Sequence, residues 1–287
     1  MGWISEALAR GRCFSIELWP PRTPASEQRL EEVLADLAPL HPTFASITYG
    51  AGGSTRERTH DLVVRLQREG AITPMAHLVC AAHSRSELTD ILTRYREEGV
   101  DNVLALRGDP PLDSDQDLAA GELAHAIELA ELAKQVGPFC VAVAAHPEGH
   151  PEAPDIASDR RRLAQKMEVA DFAITQFFFS KDDYWRLVDD LAALGVDKPV
   201  IPGIMPITNV RTLTRMAELS GAKVPESIAE RVEAVADRPD EVRRIGVEVA
   251  LELASELLAD QVPGLHLYTM NQSAATLEIA RELGLAR

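Results

Sequence analysis

Two hydrophobic periods alternate along the chain. Short runs in which apolar residues are continuous, or alternate with polar ones, are followed by longer stretches whose apolar positions recur three or four residues apart. The short runs predict strands near residue 13 and at 43–49, 72–79, 102–106, 139–145, 172–179, 199–205 and 265–270. The longer stretches predict helices at 27–37, from a Ser54/Glu57 capping box to about 68, from a Ser84/Glu87 capping box to near Gly99, and at 118–136 and 156–169. Further helices are expected after an N-cap signature at Ser180 through 194, at 209–219, within 225–259 as two helices broken around 237–239, and at 274–283.

Strands separated by helices are joined by right-handed crossovers and so run parallel. Eight such units in 287 residues predict an α/β fold made of a single (β/α)8 TIM-type barrel, with an extra helix near 225–237 before the last helix–strand unit. The alternative is an open doubly wound sheet, but no GxGxxG follows the first strand. No linker rich in Gly, Ser or Pro divides the chain, so residues 1–287 are read as one domain.

Composition narrows the partners. Apolar residues make up 46% of the chain, ample for a core, and the net charge of −16 argues against a nucleic-acid binder or a protein held to anionic membranes. Cys13, Cys80 and Cys140 lie far apart in apolar runs without CxxC spacing, which suits buried free thiols in a reducing cytoplasm. The first twelve residues contain no apolar leader segment, and no run is long enough to cross a bilayer. Nothing in the pattern sets an oligomeric state.

Chemistry is expected where barrel strands end. The C-terminal strand ends carry Glu17, Thr48, Tyr49, His77, Arg107-Gly108-Asp109, the segment from His146 to His150, Gln176, Thr269 and Asn271. Glu17 stands in the apolar run Phe14-Ser15-Ile16-Glu17-Leu18-Trp19, stopped by Pro20 and Pro21, where a carboxylate is costly unless paired or protonated. It is either a structural ion-pair member, with Arg107 or His77, or an acid kept for chemistry. Asp109 before Pro110-Pro111 is a turn residue or a second acid, and His77 is a core histidine or a ligand contact. Gln176, between Thr175 and three phenylalanines, needs several hydrogen-bond partners if it is buried. The Pro and Gly within 146–150 preclude a zinc-binding HExxH helix, and there is no Walker loop or nucleophile elbow. The set suits proton transfer coupled to chemistry carried by bound organic molecules.

The stretch from Ser15 to Thr23 resembles the opening motif of methylenetetrahydrofolate reductases. Further matches follow in order at 46–51, 76–80, 104–109, 147–153, 173–179, 201–206 and 266–271. The resemblance implies a β/α barrel that reduces 5,10-methylenetetrahydrofolate to 5-methyltetrahydrofolate with NADH or NADPH, usually through FAD. It implies that Glu17 is the general acid that opens the methylene bridge to a 5-iminium cation, that Asp109 holds the pterin and favours that cation, and that Gln176 positions folate and nicotinamide. Thr48, Tyr49, His77, Arg107, Gly108, His146 and His150 fall on cofactor-binding positions, and Asp109, Gln176, Asn271 and Gln272 on substrate-binding ones.

The flavin positions depart from that pattern. His146 replaces a Tyr, Arg162 and Gln165 replace Asn and Arg beside retained Asp159 and Lys166, and Gln272 replaces an Arg expected at the folate tail. The loop after Asp109 is acidic at Asp113, Asp115 and Asp117, poor company for a diphosphate. The expectation is a flavin-independent branch with NADH passing hydride directly to the iminium carbon. An FAD enzyme with a drifted site, a non-catalytic folate-binding barrel, and a barrel acting on another pterin or corrinoid are the alternatives.

Overall fold

Strands β1 (Cys13–Leu18), β2 (Phe44–Ile47), β3 (Pro74–Val79), β4 (Asn102–Leu106), β5 (Cys140–Ala145), β6 (Phe172–Thr175), β7 (Val200–Ile201), β8 (Gly203–Ile204) and β9 (Gly264–Tyr268) form one parallel sheet. They are seen in a computed structural model that describes residues 2–50, 55–108 and 121–285. β1 to β6 pair in sequence order, and β9 pairs with β1. The seventh expected strand is divided at Pro202, which has no N–H to give to a ladder. β7 pairs with β6 and β8 pairs with β9, so one short stretch joins both edges of the sheet and closes the ring.

Helices α2 (Pro24–Leu37), α3 (Arg56–Glu69), α4 (Arg85–Glu97), α5 (Ala126–Val136), α6 (Ile156–Val169), α7 (Lys181–Ala193), α8 (Val210–Ser220), α9 (Glu226–Glu233), α10 (Pro239–Ala259) and α11 (Ser273–Glu282) follow the strands. The expected caps hold at Ser84, whose hydroxyl accepts from Glu87 N–H while the Glu87 carboxylate returns the bond, and at Ser180, which accepts from Asp182 N–H. Two starts differ from expectation. α3 has Thr55 as its N-cap with no side-chain capping bond, because that hydroxyl is taken by Gly50 N–H and Thr59; Ser54 lies outside the described residues. α5 begins at Ala126, where Glu128 accepts from the N–H groups of Ala124 and His125; the expected start at 118 lies outside the described residues.

Strand parity separates two cores. Even positions of β1 and odd positions of β2 and β4, such as Ile16, Leu18, Ala45, Ile47, Val103 and Ala105, pack outward under the helices. The opposite set fills the barrel: Cys13, Phe44, Met75, Leu104, Cys140, Phe172 and Ile174 form its lower interior. That interior is plugged by an unexpected helix, α1 (Ile4–Arg10), whose Ile4 is buried there and gives its N–H to Asn102 Oδ1 at 2.9 Å. At the opposite end α8, α9 and α10 build a third apolar cluster around Phe177, Met205, Ile207 and Val232. Among the described residues no helix is long and apolar enough to cross a membrane.

Candidate active site

Inward-facing residues at the C-terminal strand ends line one cleft: Glu17 from β1, His77 from β3, Leu106 from β4, Ala144 and His146 from β5 and its exit, Gln176 after β6, and Tyr268 from β9. Trp19, Phe177, Met205, Met216 and Met270 form its apolar rim. Glu17 reaches it because β1 alternates Cys13, Ser15, Glu17 into the barrel, directly across from Tyr268.

Burial pushes the Glu17 carboxyl up to about 7, against the single opposing influence of a hydrogen bond from the Trp19 indole, long at 3.4 Å. His77 Nε2 lies 3.7 Å from the carboxyl and has no hydrogen-bond partner, though it is buried. Burial also drives His77 down to about 3. The two groups are therefore a neutral imidazole beside a readily protonated acid, so the contact between Glu17 and His77 is not an ion pair.

A polar layer lies beneath. His266 is fully buried, with Ser15 Oγ 2.9 Å from its Nδ1, Ser46 Oγ 3.3 Å from its Nε2 and Phe44 stacked on its face. Burial, with His77 nearby, holds it down to about 3. The Tyr268 hydroxyl donates to Thr175 O at 2.5 Å. Gln176 lines the cleft, and its Oε1 accepts from the adjacent Phe177 N–H at 3.0 Å.

Other expected site residues are placed differently. Tyr49 is on the outward parity of β2, so it joins the shell under the helices and meets His83 Nε2 through its hydroxyl at 3.0 Å. Thr48 is half-buried, its carbonyl accepting from Thr59. Arg107 pairs with Glu152, and Gly108 has φ 88° with the Val79 side chain so close that a Cβ would stand 2.9 Å away. His150 packs edge-on to His146, ring centroids 4.7 Å apart. Asn271 brackets the backbone of Trp19, and Gln272 is exposed. Asp109 lies outside the described residues. Sequence reasoning did not single out Trp19, His266 or Tyr268; for the latter two, two-residue parity with Met270 was the available signal.

The family model described as methylenetetrahydrofolate reductase matches residues 4–284. The chain belongs to the methylenetetrahydrofolate reductase family. The 5,10-methylenetetrahydrofolate reductase of Pectobacterium carotovorum is 34% identical over 98% of this chain and 94% of its own length, and that of Escherichia coli 33% over 94% and 90%. A probable methylenetetrahydrofolate reductase (NADH) of rice is 36% identical over 98% of this chain, which spans 50% of the rice protein. A Clostridium thermocellum protein described as binding two copies of 5-methyl-5,6,7,8-tetrahydrofolic acid shares the fold, with a TM-score of 0.68 at 14% identity over 98% of this chain and 99% of that one.

The methylenetetrahydrofolate reductase resemblance implies FAD, and the described wall beside His146 is a poor cradle for it. Lys166 is committed to Ala144 O at 2.9 Å and lowered to about 8 by burial, and Asp159 is bonded by Arg160. Arg160 is buried and spent on the carbonyls of His146 and Pro147 and on Asp159 and Asp190. Arg162 and Gln165 are solvent-exposed. His146, held down to about 3 mainly by burial, brings no charge. Among the described residues the cleft has no Lys or Arg in its lining.

Proposed function

We propose that the chain reduces 5,10-methylenetetrahydrofolate to 5-methyltetrahydrofolate with NADH as the direct hydride donor and without bound flavin. Glu17 is the general acid. Its proton goes to the bridge nitrogen that leaves the methylene carbon, giving the 5-iminium cation, and hydride from nicotinamide C4 converts that carbon to the methyl group. The observation that carries this reading is a buried carboxyl on β1, raised to about 7 in an apolar cleft and faced by a neutral histidine, so that it can gain and give a proton near neutral pH. The Gln176 NH2 group is suited to orient folate and nicotinamide, and Asp109, on the family motif, to hold the pterin. His77 and His146 contact the nicotinamide nucleotide, with Thr48 and His150 near it. Direct transfer brings both organic reactants into one cleft at once.

The name of the rice relative, with NADH as donor, supports this choice of nucleotide. The test combines an ultraviolet–visible spectrum of the purified protein with NADH oxidation in the presence of methylenetetrahydrofolate. Turnover without visible flavin absorbance, with sequential ternary-complex kinetics, is expected. Stoichiometric flavin, or ping-pong kinetics, overturns the direct route. Glu17→Gln is expected to lower kcat by about 100-fold or more; retained turnover overturns the acid assignment.

A further inference from the structure

The exit of β9 is tied to the exit of β1 by three hydrogen bonds, braced by a fourth within the β9 exit, and none involves a ligand. The Thr269 hydroxyl donates to Glu17 O at 2.6 Å and accepts from Asn271 N–H at 3.1 Å. Asn271 then treats Trp19 as a strand partner: its Oδ1 accepts from Trp19 N–H at 2.8 Å and its Nδ2 donates to Trp19 O at 2.9 Å. Thr269 and Asn271 are both buried, and the geometry requires Met270 and Asn271 at φ 51° and 53°, an uncommon conformation for non-glycine residues. The clamped backbone carries the acid at Glu17 and, two residues on, the indole that touches it.

We propose that Thr269 and Asn271 are positioning residues for Glu17, fixing the main chain of residues 17–19 so that the Trp19 indole is held against the carboxyl. This rests on the reading of Glu17 as the general acid, and it gives Asn271 a role distinct from gripping folate. Trp19 is partly exposed at the cleft rim and is followed by Pro20, and its indole N–H donates to the Glu17 carboxylate. The groups facing the carboxyl are His77 from β3 and Tyr268 from β9, with His266 one layer deeper. None is a cation, which leaves the indole N–H as the described donor to the ionised form. Releasing the clamp lets the indole drift, and Glu17 then holds its proton to higher pH.

Asn271→Gly is the informative variant, because glycine accepts the positive φ while losing the amide. Its kcat is expected to fall about 10-fold or more with the KM for methylenetetrahydrofolate changed by less than about 2-fold. In protein labelled with 13C at glutamate carboxyls, the resonance lost in Glu17→Gln is expected to titrate at higher pH in Asn271→Gly and in Trp19→Phe than in the parent. Thr269→Ser, which keeps the hydroxyl, retains activity, and Thr269→Val does not. A raised KM with unchanged kcat in Asn271→Gly makes Asn271 a substrate ligand and overturns the proposal, as does an unshifted Glu17 titration in Trp19→Phe. The carboxyl titration needs no turnover, so a shift there alongside an active Glu17→Gln keeps the clamp and removes only the acid assignment.

Discussion

Glu17 gains its character from what surrounds it more than from what it is. Burial favours the protonated form, so the acid-dependent step is expected to slow as pH rises through about 7, visible as a falling limb in kcat that is absent from Glu17→Gln. The same shift acts on stability. Between the ordinary value of 4.5 and about 7, the native state keeps a proton that the unfolded chain has lost, so stability declines as pH rises through that window. Glu17→Gln removes the penalty and is expected to be more stable at pH 8 by on the order of 3 kcal/mol, a gain that vanishes toward pH 4 in denaturant titrations. Glu17 was readable in the sequence because a lone carboxylate in an apolar strand has few explanations. Tyr49 lies on the outward parity of β2, which reading strand ends without their parity does not show. Asn271 was placed at a strand end, but its bonds to the Trp19 backbone were not legible, since the two residues are 252 apart in sequence.

Elements were readable where local and tertiary demands agree. The Asn102–Leu106 strand and the Ile156–Val169 helix coincide with their sequence pattern because turn and capping residues bound them directly. α1 escaped notice because seven residues give barely two turns of periodicity, and its fate is decided by the barrel floor it fills. Ile4→Ala is accordingly expected to lower stability by about 2–4 kcal/mol in chemical denaturation while leaving kcat of the folded protein unchanged, since Ile4 sits at the end opposite the cleft. Gly203 in β8 makes the contrary case. A Cβ there would stand 2.4 Å from Thr175 O and 2.6 Å from the Tyr268 ring, so Gly203→Ala must displace a cleft residue and part the β8–β9 contact. Loss of about 3 kcal/mol together with loss of turnover is expected, and a stable, fully active variant would refute this account of the closure.

Across the whole molecule, the alternation of strand and helix was sufficient for the barrel, and the clustering of polar residues at one end was sufficient to find the cleft. The sequence pattern did not reveal that the barrel interior also holds a polar layer. His77, His146 and His266 are each held neutral to about 3, chiefly by burial. As pH falls below 6.5 the unfolded chain takes up protons that these native histidines refuse, so stability should drop steadily between pH 6.5 and 3. Thermal unfolding across that range checks this, and His266→Gln, if it folds, should flatten the slope. The closure at Pro202 has a consequence in time as well as in space. Two residues of β7 and two of β8 are all that the seventh strand lends to its neighbours. Local opening there breaks few bonds, so their amide protons should exchange into deuterated solvent before those of β3 to β5, and the barrel should first come apart beside its own cleft.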